Sequence, residues 1–367
     1  MKIRVLHVCE YTKGGIATYL TEVLRYQQSS EKISNVSVVL SDYEVNRNKF
    51  SGINSYFYNY VRKPQHFLSA INEINRVIKK DRPDIIHVHS TFAGVFTRLL
   101  LFFKRDRPLV VYCSHGWAFT MDIPDWKKKI YGYIERFLAI KTDLIINISK
   151  SELKHSLIYK LPLNRSLVIY NGIKNEVSSV SEPNVKLDSS KINILFIGRF
   201  DKQKGLDILI DFFSKNYLSD IRLYLIGDNV LNKSTLKLPS NIISIGWIDN
   251  ELIDSYYKIF DAVIVPSRWE GFGLVAIEAM RNKKALIVSD RGALPEIVKN
   301  GVNGYIFNID NYASLKNILL NLNREELVLM GQNGYSLFLK RFTSEHMNSE
   351  IIKQYELLIQ KKGKKKS

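Results

Sequence analysis

The sequence predicts an α/β protein made of two doubly wound, mainly parallel sheets. Short, solid apolar runs alternate with amphipathic stretches along the whole chain, which is the pattern of strands covered by helices on both faces. The pattern is interrupted once, by a polar segment, and then restarts. With 367 residues the chain exceeds the common domain length of about 150 residues more than twofold, so two cores fit.

Taken in order, the first half predicts strands over 2–8, 36–40, 84–89, 109–114, 144–148 and 167–170, and helices near 16–26, 67–79 and 93–103. From Lys174 to Lys191 the chain turns polar, rich in Ser, Asn and Glu around Pro183. Strands are predicted again over 192–197, 221–226, 242–245, 262–265 and 285–289, followed by helical stretches 324–340 and 345–359. The resulting division is an N-terminal Rossmann-like domain over 1–175, a linker over 176–191, a C-terminal Rossmann-like domain over 192–342, a helix over 343–360 expected to pack back on the first domain, and a basic tail over 361–367. In open sheets of this kind ligands sit outside the carboxyl ends of the strands. No short-period repeat is visible.

Composition narrows the class. Hydrophobic residues at 46% and charged residues at 24% exclude wholesale disorder. Two cysteines, Cys9 and Cys113, supply neither a disulfide framework nor a four-ligand zinc site, which fits a reducing, cytoplasmic compartment. The opening apolar run is too short for a signal peptide, and no run of 18 apolar residues reads as a membrane span. The net charge of +17 implies an anionic partner: nucleic acid, a phosphorylated small molecule or an acidic membrane surface, which the charge alone does not separate. Nucleic acid is disfavoured because no recognisable binding motif accompanies the charge.

Three strand-to-helix turns carry candidate chemistry. Gly14-Gly15 follows the first strand and opens a helix, so its amides can meet an anion, although a plain tight turn fits as well. Its spacing matches neither the dinucleotide fingerprint nor the P-loop. In the second half, Gly198-Arg199-Phe200-Asp201-Lys202-Gln203-Lys204-Gly205 places Arg199 and Lys204 beside a helix N-terminus, where both can converge on a phosphate or pyrophosphate or simply remain solvated. Then Glu270-Gly271-Phe272-Gly273-Leu274 leaves the 262–265 strand and enters a helix bearing Glu278. Eight residues at about 100° each bring the two carboxylates to neighbouring, not superposed, directions. Alone, Glu278 also reads as a surface carboxylate beside an apolar face.

These motifs, in this order, resemble the retaining nucleotide-sugar glycosyltransferases of family 4. The likeness covers nearly the whole chain and is reinforced by Asn171-Gly172-Ile173, Gly246-Trp247, Pro266-Ser267 and the run from Asp290 to Glu296. It implies the GT-B fold, with two Rossmann-like domains facing across a cleft. It further implies that Arg199 and Lys204 neutralise the diphosphate of a donor, expected to be a UDP-sugar, with help from the amides of Gly14, Gly15 and Gly271 to Leu274. Glu278 would hold the ribose hydroxyls, Glu270 would face the donor sugar, and His115, in Ser114-His115-Gly116, would contact sugar or acceptor. His87 and His89 read as packing or hydrogen-bonding residues. Two departures stand out: Gly227-Asp228-Asn229 lacks a further glycine common in the family, and Lys283-Lys284-Ala285 replaces a common Gly-x-Pro.

No Asp-x-Asp occurs, the arrangement with which metal-dependent glycosyltransferases hold a cation, so no metal is expected and the fixed positive groups would carry the leaving group's charge. The stretch from Trp126 to Leu138 reads as an amphipathic helix with Trp126, Ile130, Ile134 and Phe137 on one stripe beside Lys127, Lys128 and Lys129. It either packs on the sheet or, together with the basic tail, lies on the inner face of an anionic plasma membrane near a lipid-pyrophosphate-linked saccharide acceptor. The competing readings are a nucleotide-sugar epimerase or hydrolase of the same fold, and a nucleotide-sugar-binding module without catalysis.

Overall fold

A computed structural model of the protein describes residues 2–10, 12, 14–43, 45–60, 63, 66–177, 182–228 and 238–364. The chain divides into two compact units, Met1–Ile173 with Ser344–Ser367, and Lys174–Thr343.

In the first unit the order is β1 (Ile3–Cys9), α1 (Gly15–Ser29), β2 (Ile33–Ser41), β3 (Asn54–Tyr58), α2 (Phe67–Asp81), β4 (Ile85–His89), α3 (Thr91–Leu101), β5 (Leu109–Cys113), α4 (Asp125–Leu138), β6 (Leu144–Asn147), α5 (Lys150–Ile158) and β7 (Ser166–Val168). Among the described residues the sheet has seven parallel strands in the order β3-β2-β1-β4-β5-β6-β7. Strands β4 and β5 are buried at every position, as solid apolar runs demand when helices cover both faces. The direction of chain progression reverses between β1 and β4, which opens a crevice at their carboxyl ends.

The second unit repeats the plan with β8 (Ile192–Ile197), α6 (Leu206–Lys215), β9 (Ile221–Ile226), β10 (Ile242–Gly246), α7 (Ile253–Ile259), β11 (Ala262–Val265), α8 (Leu274–Arg281), β12 (Ala285–Ser289), α9 (Leu294–Ile297), β13 (Gly304–Phe307), α10 (Tyr312–Leu320) and α11 (Arg324–Arg341). Its six described strands run parallel in the order β10-β9-β8-β11-β12-β13, so the reversal falls between β8 and β11. Phe212, Leu225, Ile264, Ile287 and Phe307 fill one side of this sheet.

Helix α12 (Ser344–Lys364) belongs to the first unit. The Ser344 N–H donates to the Ile173 carbonyl at 2.8 Å, and Lys32 pairs with Glu356 at 2.8 Å. The helix continues through Lys361, Lys362 and Lys364, into the stretch read from sequence as a tail, and Lys362 Nζ donates to the Arg107 carbonyl at 3.0 Å. Lys365 and Lys366 lie outside the described residues, as does Asn229.

Two strands escaped the sequence reading, β3 and β13, and both are sheet edges. An edge strand is covered on fewer sides, so Asn54-Ser55-Tyr56-Phe57-Tyr58 carries no solid apolar run, and Gly304-Tyr305-Ile306-Phe307 is only four residues long. At the family departure, Lys283 has φ of 56°, in the left-handed region that favours glycine. Among the described residues no helix is long and apolar enough to cross a membrane.

Candidate functional site

The second unit assembles its site from the loops that leave the neighbouring strands β8 and β11. Gly205, with φ of 73°, lets the first loop press against the second: a Cβ there would lie 2.0 Å from the Pro266 carbonyl oxygen. The Arg268 N–H donates to the Gln203 carbonyl at 2.8 Å, and Gln203 Nε2 donates to the Trp269 carbonyl at 3.3 Å. Held this way, Lys204 Nζ donates to Glu270 Oε2 at 2.7 Å, and Ser267 Oγ donates to the same oxygen at 3.1 Å. Glu270 is fixed from behind as well. Its carbonyl accepts from the Ala293 N–H at 3.2 Å, and Gly292, φ 57°, passes so close that a Cβ would lie 2.1 Å from that oxygen.

Glu278 stands in α8, the helix that the Glu270 loop enters, and Tyr257 Oη donates to its carboxylate at 3.1 Å. Burial raises its pKa above the usual carboxylate range, and the charges of Arg281 and Lys204 and the Tyr257 bond pull it back. Lys204 therefore acts on both carboxylates that the sequence singled out. An ammonium has three donors, and Glu270 takes one, which leaves two to meet phosphate oxygens.

The other expected residues of this unit are placed differently. Arg199 is on the Lys204 loop, but its guanidinium pairs with Asp201 at 3.1 Å and donates to Gln203 Oε1 at 3.1 Å, and its side chain is 52% exposed. The structure does not bond it to Glu270 or Glu278. Phe272 is buried at 2% exposure against Phe342, so any part it has in binding falls to its backbone. Gly273, φ 98°, is the residue before α8, and neither it nor Gly14, before α1, provides a side-chain cap. The first amides of both helices thus lack intrahelical partners, the condition for meeting an anion.

In the first unit, His115 follows β5 with φ of 55°, and Ser90 follows β4 with φ of 73°. Two non-glycine residues in the left-handed region at adjacent strand ends store backbone strain, a mark of sites where geometry outweighs stability. His115 is no lone histidine. Its Nε2 is 3.0 Å from His89 Nδ1, His89 Nε2 is 2.9 Å from His7 Nδ1, and His7 Nε2 is 2.9 Å from Gln27 Oε1. Tyr355 Oη, from α12, is 2.6 Å from His87 Nδ1 and accepts from Gln27 Nε2 at 3.4 Å. The Tyr19 ring meets the His115 ring edge-on at 4.4 Å. Burial holds His115 down to about 3 and His7 down to about 4, so both are neutral at ordinary pH. His7, His87 and His89 bring ligand nitrogens within 4.8 Å of one another, but their hydrogen bonds already occupy most of these atoms.

Sequence reasoning missed Ser267 as a partner of Glu270, Tyr257 as a partner of Glu278, and the His7, Gln27 and Tyr355 contributions. One signal was available: His87 and His89 alternate on a strand, so they share a face, and His7 pairs with His87 in register across β1 and β4. Helix α4 also turned out unusual. It buries Gly132, Glu135 and Leu138, and exposes Trp126 (60%), Ile130, Tyr133, Ile134 and Phe137. Buried Glu135 accepts from Arg98 at 2.8 Å and from Tyr112 Oη at 2.8 Å, an arrangement that anchors the helix by its polar side.

The chain matches the family described as Glycosyltransferase Family 4 over residues 13–177 and that described as Glycosyl transferases group 1 over residues 180–337. A 41.2 kDa protein in the cps region of Klebsiella pneumoniae is 33% identical over 318 residues, covering 84% of this chain and 87% of its own. The UDP-Gal:alpha-D-GlcNAc-diphosphoundecaprenol alpha-1,3-galactosyltransferase of Escherichia coli is 24% identical, covering 72% of this chain and 73% of its own. Among solved structures, Anabaena HepE in complex with UDP and glucose superposes with a TM-score of 0.80 at 19% identity, over 96% of this chain and 99% of that one. The sucrose-phosphate synthase of Thermosynechococcus elongatus gives 0.80 at 16% identity, over 97% and 99%. Two sheets wound alike and matches that run across both units make one conclusion: the chain belongs to glycosyltransferase family 4 and has the GT-B fold.

Proposed function

We propose that this chain moves a sugar from a UDP-sugar to a hydroxyl of a saccharide carried on a lipid pyrophosphate, with retention of anomeric configuration, in the assembly of a surface polysaccharide or lipopolysaccharide. The observation that carries the reading is the Lys204–Glu270–Ser267 cluster beside Glu278, at the reversal of the second sheet. HepE, whose structure holds UDP, supports the donor class, and the diphosphoundecaprenol substrate named for the Escherichia coli relative supports the acceptor class.

In this reading the bond from the anomeric carbon to the β-phosphate oxygen breaks, and its electron pair leaves with UDP. Lys204, Arg199 and the amides before α8 carry the charge that develops there, so no divalent ion is required. The acceptor oxygen bonds to the oxocarbenium-like carbon on the face the diphosphate leaves, and its proton passes to the departing phosphate. Glu270, held by Lys204 and Ser267, orients the sugar, Glu278 takes the ribose hydroxyls, and His115 contacts a sugar or acceptor hydroxyl. The outward apolar face of α4, with Lys127, Lys128 and Lys129 beside it, supports contact with an anionic membrane where such an acceptor resides.

A thermal-shift panel of nucleoside diphosphates and their sugars tests the donor assignment. UDP and one UDP-sugar are expected to raise the melting temperature, by about 2.7 kcal/mol of stabilisation at a hundredfold excess over Kd. A chain that no uridine nucleotide stabilises would remove the assignment.

A further inference from the structure

We infer that His7, His89 and His115 form one relay with a single locked tautomer, anchored by Gln27 and Tyr355, and that the lock turns His115 Nδ1 into a hydrogen-bond acceptor for a substrate hydroxyl. The lock follows from counting protons. Gln27 Nε2 donates to Tyr355 Oη, so the opposite end of the amide, Oε1, faces His7 and can only accept. His7 must then carry its proton on Nε2, and its bare Nδ1 must accept. His89 Nε2 supplies that proton, which leaves His89 Nδ1 bare in turn, and His115 Nε2 donates to it. Each neutral imidazole has one donor and one acceptor, so the choice made at Gln27 propagates to His115 without a free alternative.

The far end of the relay is where a ligand is wanted. His115 Nδ1 has no hydrogen-bond partner among the described residues, and His115 is only half-buried. Around it, Tyr19 Oη, Ser90 Oγ and Ser114 Oγ are buried without a partner, and such groups need one. A polyhydroxylated ligand supplies donors and acceptors together. The diphosphate of a sugar nucleotide does not suit Nδ1: its esterified phosphates carry no proton at neutral pH, and the neutral relay offers them no charge. The four supporting residues, Gln27, His7, His89 and Tyr355, are positioning residues, since they act through His115. Tyr355 makes the C-terminal helix part of this device, because its own proton goes to His87 Nδ1 at 2.6 Å and its oxygen holds the Gln27 amide in one orientation. Only the identity of the hydroxyl, on sugar or acceptor, rests on the proposed glycosyl transfer.

The test is long-range nitrogen–proton NMR on the full chain labelled at its seven histidines, with His115 assigned from the His115→Asn spectrum. At pH 7 the rings of His7, His89 and His115 are expected as neutral Nε2–H tautomers. A His115 found as Nδ1–H, as a mixture, or as an imidazolium would overturn the relay. Gln27→Leu removes the anchor, and is expected to mix the His115 tautomers and lower sugar transfer roughly tenfold or more, mainly in kcat. Gln27→Glu, whose carboxylate only accepts, is expected to keep the tautomer and most of the rate. A Gln27→Leu chain with an unchanged His115 spectrum would overturn the anchoring. If the wild-type chain transfers no sugar from any donor, the functional reading fails, and the tautomer result stands or falls separately.

Discussion

The two units place their sites at the same point of the same sheet topology, yet build them from opposite materials. In the second unit the site is a web of charge: Lys204 between Glu270 and Glu278, with Arg199 on the same loop. In the first it is a stack of neutral rings, with His7 and His89 fully buried and every relay bond made without a formal charge. The fold therefore decides where a ligand can sit, and the side chains decide what kind. A diphosphate needs cations and free amides. A hydroxyl needs an acceptor and a donor held in the right order, and a neutral, desolvated site keeps those bonds from competing with water.

The sharpest way to break this contrast is to disable one unit and read the other. Lys204→Ala is expected to lower kcat/KM for transfer by about 10²–10³, the usual loss on removing one group that meets developing negative charge, and to abolish the thermal shift caused by UDP. His115→Asn is expected to impair transfer while leaving the UDP shift in place. Steady-state kinetics and melting curves on both variants check this. A His115→Asn chain that no longer responds to UDP would mean the division of labour is wrong.

The units also predict opposite responses to acid. His7 titrates near 6.5 in the unfolded chain and near 4 when folded, because burial disfavours its charge. The unfolded state thus binds the extra proton, so the stability this group contributes is full above pH 6.5 and is lost as the pH falls towards 4. At pH 5.5, one unit below the unfolded value, His7 alone should have removed on the order of 1 kcal/mol. Burial shifts Glu278 the other way, above its ordinary 4.5. Its contribution is present below 4.5 and is lost as the pH rises through its folded value. Glu278→Gln is accordingly expected to raise the unfolding midpoint at pH 7 while weakening nucleotide binding. Urea titrations of the wild-type and Glu278→Gln chains from pH 5 to 7.5 measure both, and a Glu278→Gln midpoint that does not fall towards pH 5 would contradict the assignment of buried, neutral histidines.

The charged site was far more legible in sequence than the neutral one, for a physical reason. Residues Arg199 to Gly205 and Glu270 to Glu278 are consecutive stretches leaving a strand, so spacing alone puts them at a sheet's carboxyl edge. The relay draws on residues 7, 27, 89, 115 and 355, and only tertiary packing makes them neighbours. His115 was legible as a strand-end residue, but its tautomer depends on a tyrosine 240 positions away in the chain. Ser267 and Tyr257 were missed because a hydroxyl that supports a carboxylate has no spacing rule. The edge strand β3 was missed because partial burial removes the apolar signal, and β13 because its apolar run is only three residues long after Gly304.

Helix α4 shows the limit in another form. Its apolar stripe was visible, but a stripe does not say which way it faces, and here Glu135 decides. Glu135 is buried at 2% side-chain exposure with Arg98 at 0%, and the Arg98 guanidinium also lies 3.8 Å over the Tyr112 ring. Breaking a buried pair typically costs about 3–5 kcal/mol, so this contact holds the helix polar side inward. Trp126, Ile130, Tyr133, Ile134 and Phe137 are thereby turned out, and the patch runs on through Phe102, stacked on Phe137 at 4.7 Å, to Phe103, which is 91% exposed. The proposed membrane contact makes this the smallest of the expected effects on chemistry: Trp126→Ser with Phe137→Ser should reduce binding to vesicles containing anionic lipid roughly tenfold or more, since each buried aromatic is worth about 1.5–3 kcal/mol. Donor binding, followed by the UDP thermal shift, should not change, because α4 lies in the other unit. Flotation at low and high salt separates the two contributions: added salt screens the lysines but leaves the apolar term, so the wild-type chain should weaken with salt, and the double variant, held mainly by its lysines at low salt, should be lost from the vesicles at high salt. Wild-type protein that fails to float at low salt would leave the outward stripe without its proposed partner.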